Sequence, residues 1–239
     1  MSDRAKASPS LAEGGVGEGA ALEAPLRSKG GVGEGAALSL SSADAAEELA
    51  RAEVYGLLAQ LFFAPPDEAL YAQFQVAVTE APVKGAFLES GWGELVAAAR
   101  RIELERVRAE FDTLFQGIGK PDVFLYGSFY LAGKLNEKPL VELRDDLHRL
   151  GLERAEGAGE TEDHVASLFE VMRYLIAGDD AGTSNLAAQQ RFFDAHVRGV
   201  VDPLCDAIEA HASADFYRAL AVFARDFFAV EKQAFDLLE

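Results

Sequence analysis

Phe216, Leu220, Phe223, Phe227 and Val230 follow one another at alternating steps of four and three, which fixes residues 213–238 as a helix packed along its length. The same periodicity governs the chain from Ser42 onward. Residues 44–63 carry Leu49, Leu57, Leu58, Leu61 and Phe62 and end at Pro65-Pro66, where the proline ring and the restricted residue before it stop a helix. A second helix is read over 67–78 and a longer one over 92–115, with Gly117 placed to close it. Further helices are read over 139–150, from Thr161 onward, and over 184–199, 203–211 and 213–238. No segment shows strand alternation with hairpin chemistry. The expected fold class is therefore all-α, with one globular multi-helix domain over residues 43–239.

Residues 1–42 are of a different kind. They contain none of the 23 aromatic residues (16 Phe, 6 Tyr and 1 Trp) but eight of the 22 glycines, too little apolar surface to offset the entropy of ordering. The nine-residue unit GGVGEGAAL occurs twice, at 14–22 and 30–38. Gly15 to Ala20 matches a loose G-x-G-x-x-A dinucleotide pattern, yet no strand precedes it and no βαβ unit surrounds it. The segment is expected to be a disordered Gly-rich tail grown by local duplication.

Charge narrows the partners. Lys plus Arg number 22 against 40 Asp plus Glu, a formal net of −18, which disfavours nucleic acid and anionic membrane surfaces and suits a cationic partner. Cys205 is the one cysteine, so an internal disulfide and a multi-cysteine metal site are excluded, and its apolar neighbours Leu204 and Ile208 imply a buried thiol. The polar start and the lack of an apolar run of membrane-spanning length predict no signal peptide, no stable membrane insertion and a cytoplasmic location.

The stretch Glu160-Thr161-Glu162-Asp163-His164-Val165 stands at the mouth of an amphipathic helix bearing Val165, Leu168, Phe169, Met172, Leu175 and Ile176. Thr161 can serve as its N-cap, which puts Asp163 and His164 in the first turn, where the helix dipole favours the carboxylate and lowers the proton affinity of the imidazole. The pair reads either as support for the cap or as a binding site. A second unusual segment, 116–130, combines glycines with Phe124, Tyr126, Phe129 and Tyr130, a composition of binding loops rather than linkers.

Catalytic constellations are missing. A di-iron bundle needs Glu-x-x-His pairs, but Asp145, Thr161, Phe193 and Ile208 stand three residues before the four histidines. No H-E-x-x-H and no G-x-S-x-G is found. His211, six residues after Cys205, falls on another side of the same helix. The expectation is a protein that is not an enzyme and holds neither metal nor cofactor.

Five short motifs in order carry a resemblance. They are Tyr55-Gly56-Leu57-Leu58, Phe111 to Gly117, Tyr126-Gly127-Ser128-Phe129-Tyr130, Glu160 to His164, and Gln190 to His196. Together they resemble the TorD/DmsD/NarJ family of cytoplasmic chaperones that mature molybdenum-containing redox enzymes, over residues 44–239. Two positions depart from the family pattern: Thr161 stands where proline is usual, and Leu125-Tyr126-Gly127-Ser128 replaces Pro-Tyr-Glu-Ser. The resemblance implies an all-helical chaperone whose partner is the apoprotein of a molybdenum-dependent oxidoreductase. It would bind the leader peptide, and the folded body as a further contact, through cofactor insertion and, for an exported client, twin-arginine proofreading. It also implies a client-peptide surface formed by Asp163, His164, Tyr126, Ser128, Phe111, Leu114 and Phe115. An arginine-bearing leader with an apolar stretch needs acidic acceptors beside an apolar groove. For Phe111, Leu114 and Phe115 ordinary core packing is the competing reading, and for Tyr126 and Ser128 it is loop packing. A helical adaptor or structural subunit of a stable complex remains the alternative function.

Overall fold

The computed structural model describes residues 26–28, 42–79, 88–117, 119–155, 157–178, 180 and 182–238. Most of the Gly-rich segment, both repeats included, lies outside the described residues. Within it Leu26–Ser28 forms a strand, β1, which pairs antiparallel with β2, Leu152–Arg154, in the register Leu26 to Arg154. Sequence periodicity gave no hint of this ladder, since three residues are too few to show alternation.

The remaining described architecture is helical: α1 (Ser42–Phe63), α2 (Glu68–Val76), α3 (Glu89–Arg101), α4 (Leu104–Phe115) and α5 (Gly127–Ala132) in the first half. After them come α6 (Lys138–Arg149), α7 (Val165–Ala177), α8 (Leu186–Phe192), a π-helical turn (Phe193–Val197), α9 (Arg198–Ala210) and α10 (Phe216–Asp236). Among the described residues no helix is long and apolar enough to cross a membrane.

At the centre lies α7, whose Val165, Leu168, Phe169, Val171, Met172 and Leu175 are all buried. A helix apolar on nearly every side must be enclosed by others, and α1 lies along it while α8 and the π turn close one end. Tyr55 of α1 is fully buried and ties three helices together, its ring 6.2 Å from Phe169 of α7 and 5.0 and 5.9 Å from Phe227 and Phe228 of α10. Helices α9 and α3 pack on α10. At the α3 contact a Cβ on Gly91 would stand 2.7 Å from the Asp226 carboxylate and 3.0 Å from the Phe223 Cα, so only glycine allows this approach.

Several boundaries differ from the periodic reading. The expected helix over 92–115 is two helices, broken where Ile102 turns extended (φ −98°, ψ 139°) and buries its side chain. Its carbonyl accepts the Tyr71 hydroxyl at 2.5 Å, a partner that a continuing helix would have displaced. Segments 184–199 and 203–211 are one continuous run in which α8 passes through the π turn into α9, and Pro203 lies inside α9. The buried Val200, Val201, Leu204 and Ile208 hold that helix together across the proline, outweighing the one backbone bond it cannot make. Part of the aromatic loop is helical as well, since Gly127–Ala132 forms α5 and ends on Gly133 in the left-handed conformation (φ 72°). Cys205 is buried as expected, and burial pushes its thiol up to about 12.

Glu110 of α4 fastens the start of α10. Its carboxylate accepts from the backbone N–H groups of Asp215, Phe216 and Tyr217 at 2.8, 3.1 and 2.8 Å. The helix thus receives its cap from a residue far away in the chain, and Asp215, its own N-cap position, is left to pair with Arg101 at 2.6 Å.

Candidate functional site

Two short segments distant in sequence are clasped together at the mouth of α7. Gly127 N–H donates to the Asp163 carbonyl at 2.7 Å and Val165 N–H to the Leu125 carbonyl at 2.8 Å, so Tyr126 and His164 face each other as an isolated antiparallel bridge. The Asp163 carboxylate completes the junction. One oxygen accepts Ser128 N–H at 3.0 Å and the other accepts the Thr161 hydroxyl at 2.6 Å. Tyr126, the N-cap of α5, supplies no side-chain acceptor, so Asp163 caps that helix from across the clasp. A carboxylate is the right group there, because the first N–H groups of a helix are unpaired and carry the positive end of its dipole.

The N-cap of α7 is His164, not Thr161. Thr161 spends its hydroxyl on Asp163, and His164, with φ −57° and ψ 133°, accepts Ala166 N–H on Nδ1 at 3.3 Å. Asp163 and His164 therefore precede the first turn rather than occupying it, and the helix begins with the apolar stripe at Val165. The imidazole is enclosed by rings, edge-on to Tyr126 at 5.3 Å and to Phe63 at 6.1 Å. Burial lowers its pKa from 6.5 to about 4 against the opposing charges of Glu160 and Asp163, so the ring is neutral at neutral pH, and the Ala166 N–H bond to Nδ1 puts the proton on Nε2.

Tyr126, Ser128, Asp163 and His164 are thus brought together as the sequence reading grouped them, but three of them are enclosed. Ser128, Asp163 and His164 retain 1, 3 and 5% exposure. The Ser128 hydroxyl accepts Asn136 N–H at 3.2 Å, and Asn136 adopts a positive φ of 57° in the turn that returns to α6. Tyr126 is half-buried and donates its hydroxyl to the Glu160 carboxylate; burial and that carboxylate raise its pKa. Beside them Glu162 meets Arg144 of α6 at 2.9 Å, and although burial works against its charge, Arg144 holds its pKa below the ordinary range.

Phe111 and Leu114 are core residues at 2 and 0% exposure, and Phe115 is half-buried. Their rings turn toward α1 and α10: Phe111 and Phe115 lie 5.7 and 5.1 Å from Tyr217, and Phe115 lies 6.4 Å from Phe62. The link to the clasp is indirect, through the Val123 N–H bond to the Leu114 carbonyl at 2.9 Å. Glu160 is the partner that residue-by-residue reading passed over, although it stood in the quoted motif. Among the described residues no three His, Cys, Asp or Glu side chains are grouped so as to hold a metal ion.

The buried imidazole carries a pH dependence. The unfolded chain titrates this group near 6.5 and the folded one near 4, so below pH 6.5 the unfolded state binds the extra proton and stability falls with pH until about 4. The expected loss is about 3 kcal/mol. Urea unfolding from pH 7 to 4 measures it, and His164→Asn should flatten that part of the profile; an unchanged slope would mean the imidazole is not held neutral.

The family model described as the nitrate reductase delta subunit matches residues 86–206, about half of the chain. The chain is also similar to proteins called chaperone protein TorD in Vibrio cholerae serotype O1, in the El Tor Inaba and Classical Ogawa strains. Each is 26% identical over 204 residues, which cover 79% of this chain and 93% of the relative.

Proposed function

The chain belongs to the nitrate reductase delta subunit family, and from that membership we propose that it is a non-catalytic chaperone for a redox-enzyme apoprotein, acting on a molybdenum-dependent client in the cytoplasm. The observation that carries the reading is the similarity to chaperones over nearly their whole length. The clasp supports it: a motif segment whose polar groups hold one another, Asp163 on Ser128 and Thr161 and His164 on Ala166, is suited to keeping a surface in shape.

In this reading the client's leader peptide reaches the clasp from outside. Asp163, His164 and Ser128 hold the Tyr126 loop against the start of α7, and Phe111 and Leu114 back it from the core. Tyr126, Glu160 and Phe115, which keep some exposure, supply the contacts. A leader with guanidinium groups meets carboxylate acceptors there, and its apolar stretch meets aromatic rings.

Affinity capture from the native host tests the proposal. The expected catch is the apoprotein of a molybdenum enzyme that is absent once the cofactor is in place. A partner that stays bound in constant ratio after maturation would favour the adaptor alternative. With a net charge of −18, association with a basic leader should slow several-fold as salt rises from about 0.05 to 0.5 M. Stopped-flow rates that ignore salt would argue against charge-guided recognition.

A further inference from the structure

Strand β2 has one neighbour. Leu152 and Ala155 are buried and anchor it beside α6, while Glu153 and Arg154 between them stay exposed. Gly151, in the left-handed conformation at φ 70°, turns the chain out of α6 into the strand. At the far end the Arg154 guanidinium donates to the Glu160 carbonyl at 3.3 Å, and the Glu160 carboxylate takes the Tyr126 hydroxyl. The strand thus runs up to the half-exposed side of the clasp. Among the described residues its backbone pairs with β1 and with no other strand. A strand so placed has N–H and C=O groups that will accept whichever extended segment reaches them.

The segment that fills this edge comes from the part of the sequence least suited to ordered structure. Leu26–Ser28 lies within residues 23–29, which stand between the two GGVGEGAAL units and belong to neither. That spacer reads Glu-Ala-Pro-Leu-Arg-Ser-Lys and holds two of the four basic residues of 1–42. The register sets Arg27 opposite Glu153, where unlike charges favour pairing, and β1 also lies against α7. Because the middle of β2 is polar and exposed, the contact rests on backbone bonds and charge rather than on burial. Three residues of ladder are a weak hold, since ordering them costs about as much as their hydrogen bonds return. The connection to α1 through residues 29–41 makes the pairing intramolecular, which favours it without making it permanent.

We infer that β2 is a docking edge for an extended, basic segment of a partner, and that β1 is the chain's own stand-in, which holds the edge until the partner displaces it. Resting on the chaperone reading, that partner is the client. The chemistry of the occupant is read from the stand-in: an apolar, a basic and a small polar residue in succession, with the basic one opposite Glu153. Glu160 and Glu162 on the following loop, and a net charge of −18, favour a cationic strand over an acidic one. An intact β1 therefore lowers the affinity for the client, and its release raises it.

The test keeps the full chain. Arg27→Pro and Ser28→Pro together remove two successive N–H groups, one of which faces β2 because the direction of the N–H alternates along a strand. Amide exchange over Leu152–Arg154 should quicken at least about threefold in this double variant, with circular dichroism showing the helices intact. The probe is a synthetic peptide of residues 23–29. It should bind the double variant at least about threefold more tightly than wild type, whose own strand competes, and should slow exchange at β2 again. The same peptide carrying Arg27→Glu should bind at least about threefold more weakly, because it sets like charges opposite each other. Equal peptide affinity for the two proteins, or none for either, overturns the inference. So does a wild-type dimer that the double variant converts to monomer, since β1 would then be supplied by a second copy. Capture from the native host separates this inference from the chaperone reading, the double variant being expected to retain more client than wild type. Equal client on both removes the stand-in and keeps the chaperone. No client on either removes the chaperone reading, and the peptide affinities then decide the docking edge by themselves.

Discussion

Glu231→Ala is expected to cost about 3 to 5 kcal/mol in folding free energy, the largest effect of any single substitution considered. Glu231 is 1% exposed on α10. Its two oxygens receive Arg51 Nε and Nη2 at 2.8 Å each, a bidentate fork, and the Tyr55 hydroxyl at 2.9 Å. Alanine would leave the guanidinium over the Phe235 ring, 5.8 Å from its centroid, and the Tyr55 hydroxyl without an acceptor in a fully buried position. Burial disfavours the Arg51 charge, and Glu231 together with Glu48 keeps it ionised well above its ordinary range. Glu48 remains after the substitution but is partly solvated, so it compensates only in part. Urea unfolding decides the matter. A loss under about 1 kcal/mol would mean that water replaces the carboxylate and that the pair is not structural. Glu231→Gln, which keeps one acceptor oxygen but turns the other into an NH2 donor facing Arg51 and removes the charge, should fall between wild type and alanine.

Asp163→Ala is expected to cost about 3 kcal/mol, because it removes the cap of α5 and strands the Ser128 N–H and the Thr161 hydroxyl in a nearly closed site. Asp163→Asn keeps an acceptor oxygen and should lose about 1 kcal/mol, chiefly the charge at the helix terminus. The second half of this prediction concerns the client. A side chain 3% exposed can act on a ligand only by holding its neighbours, so leader affinity per folded molecule should change less than about threefold at a temperature where both proteins are folded. Isothermal titration and urea unfolding on the same preparations give both quantities. A tenfold loss of affinity with unaltered unfolding would instead make Asp163 a direct contact.

These two residues show what could and could not be read along the chain. Asp163 was recognisable as a cap residue next to an amphipathic helix, but it caps α5, a helix 35 residues earlier than itself. Phe111, Leu114 and Phe115 were recognisable as one apolar face; only their packing against Tyr217 and Phe62 made two of them core and left the third half-buried. Ile102 sat inside an unbroken helical pattern, and the break there depends on the Tyr71 hydroxyl reaching its carbonyl.

The sequence by itself determined the all-α class, the helical stretches, the contrast between residues 1–42 and the body, and the motif order that marks the family. Each of these is a local property: periodicity follows from the 3.6-residue turn, and tail composition limits the surface available for burial whatever the topology. Tertiary structure alone decided which polar groups meet. The Asp163–Ser128, Glu110–Tyr217 and Glu231–Arg51 contacts join residues 35, 107 and 180 positions apart. Spacing along a chain cannot encode such meetings, because they are selected by the requirement that every buried donor and charge find a partner once the helices have packed.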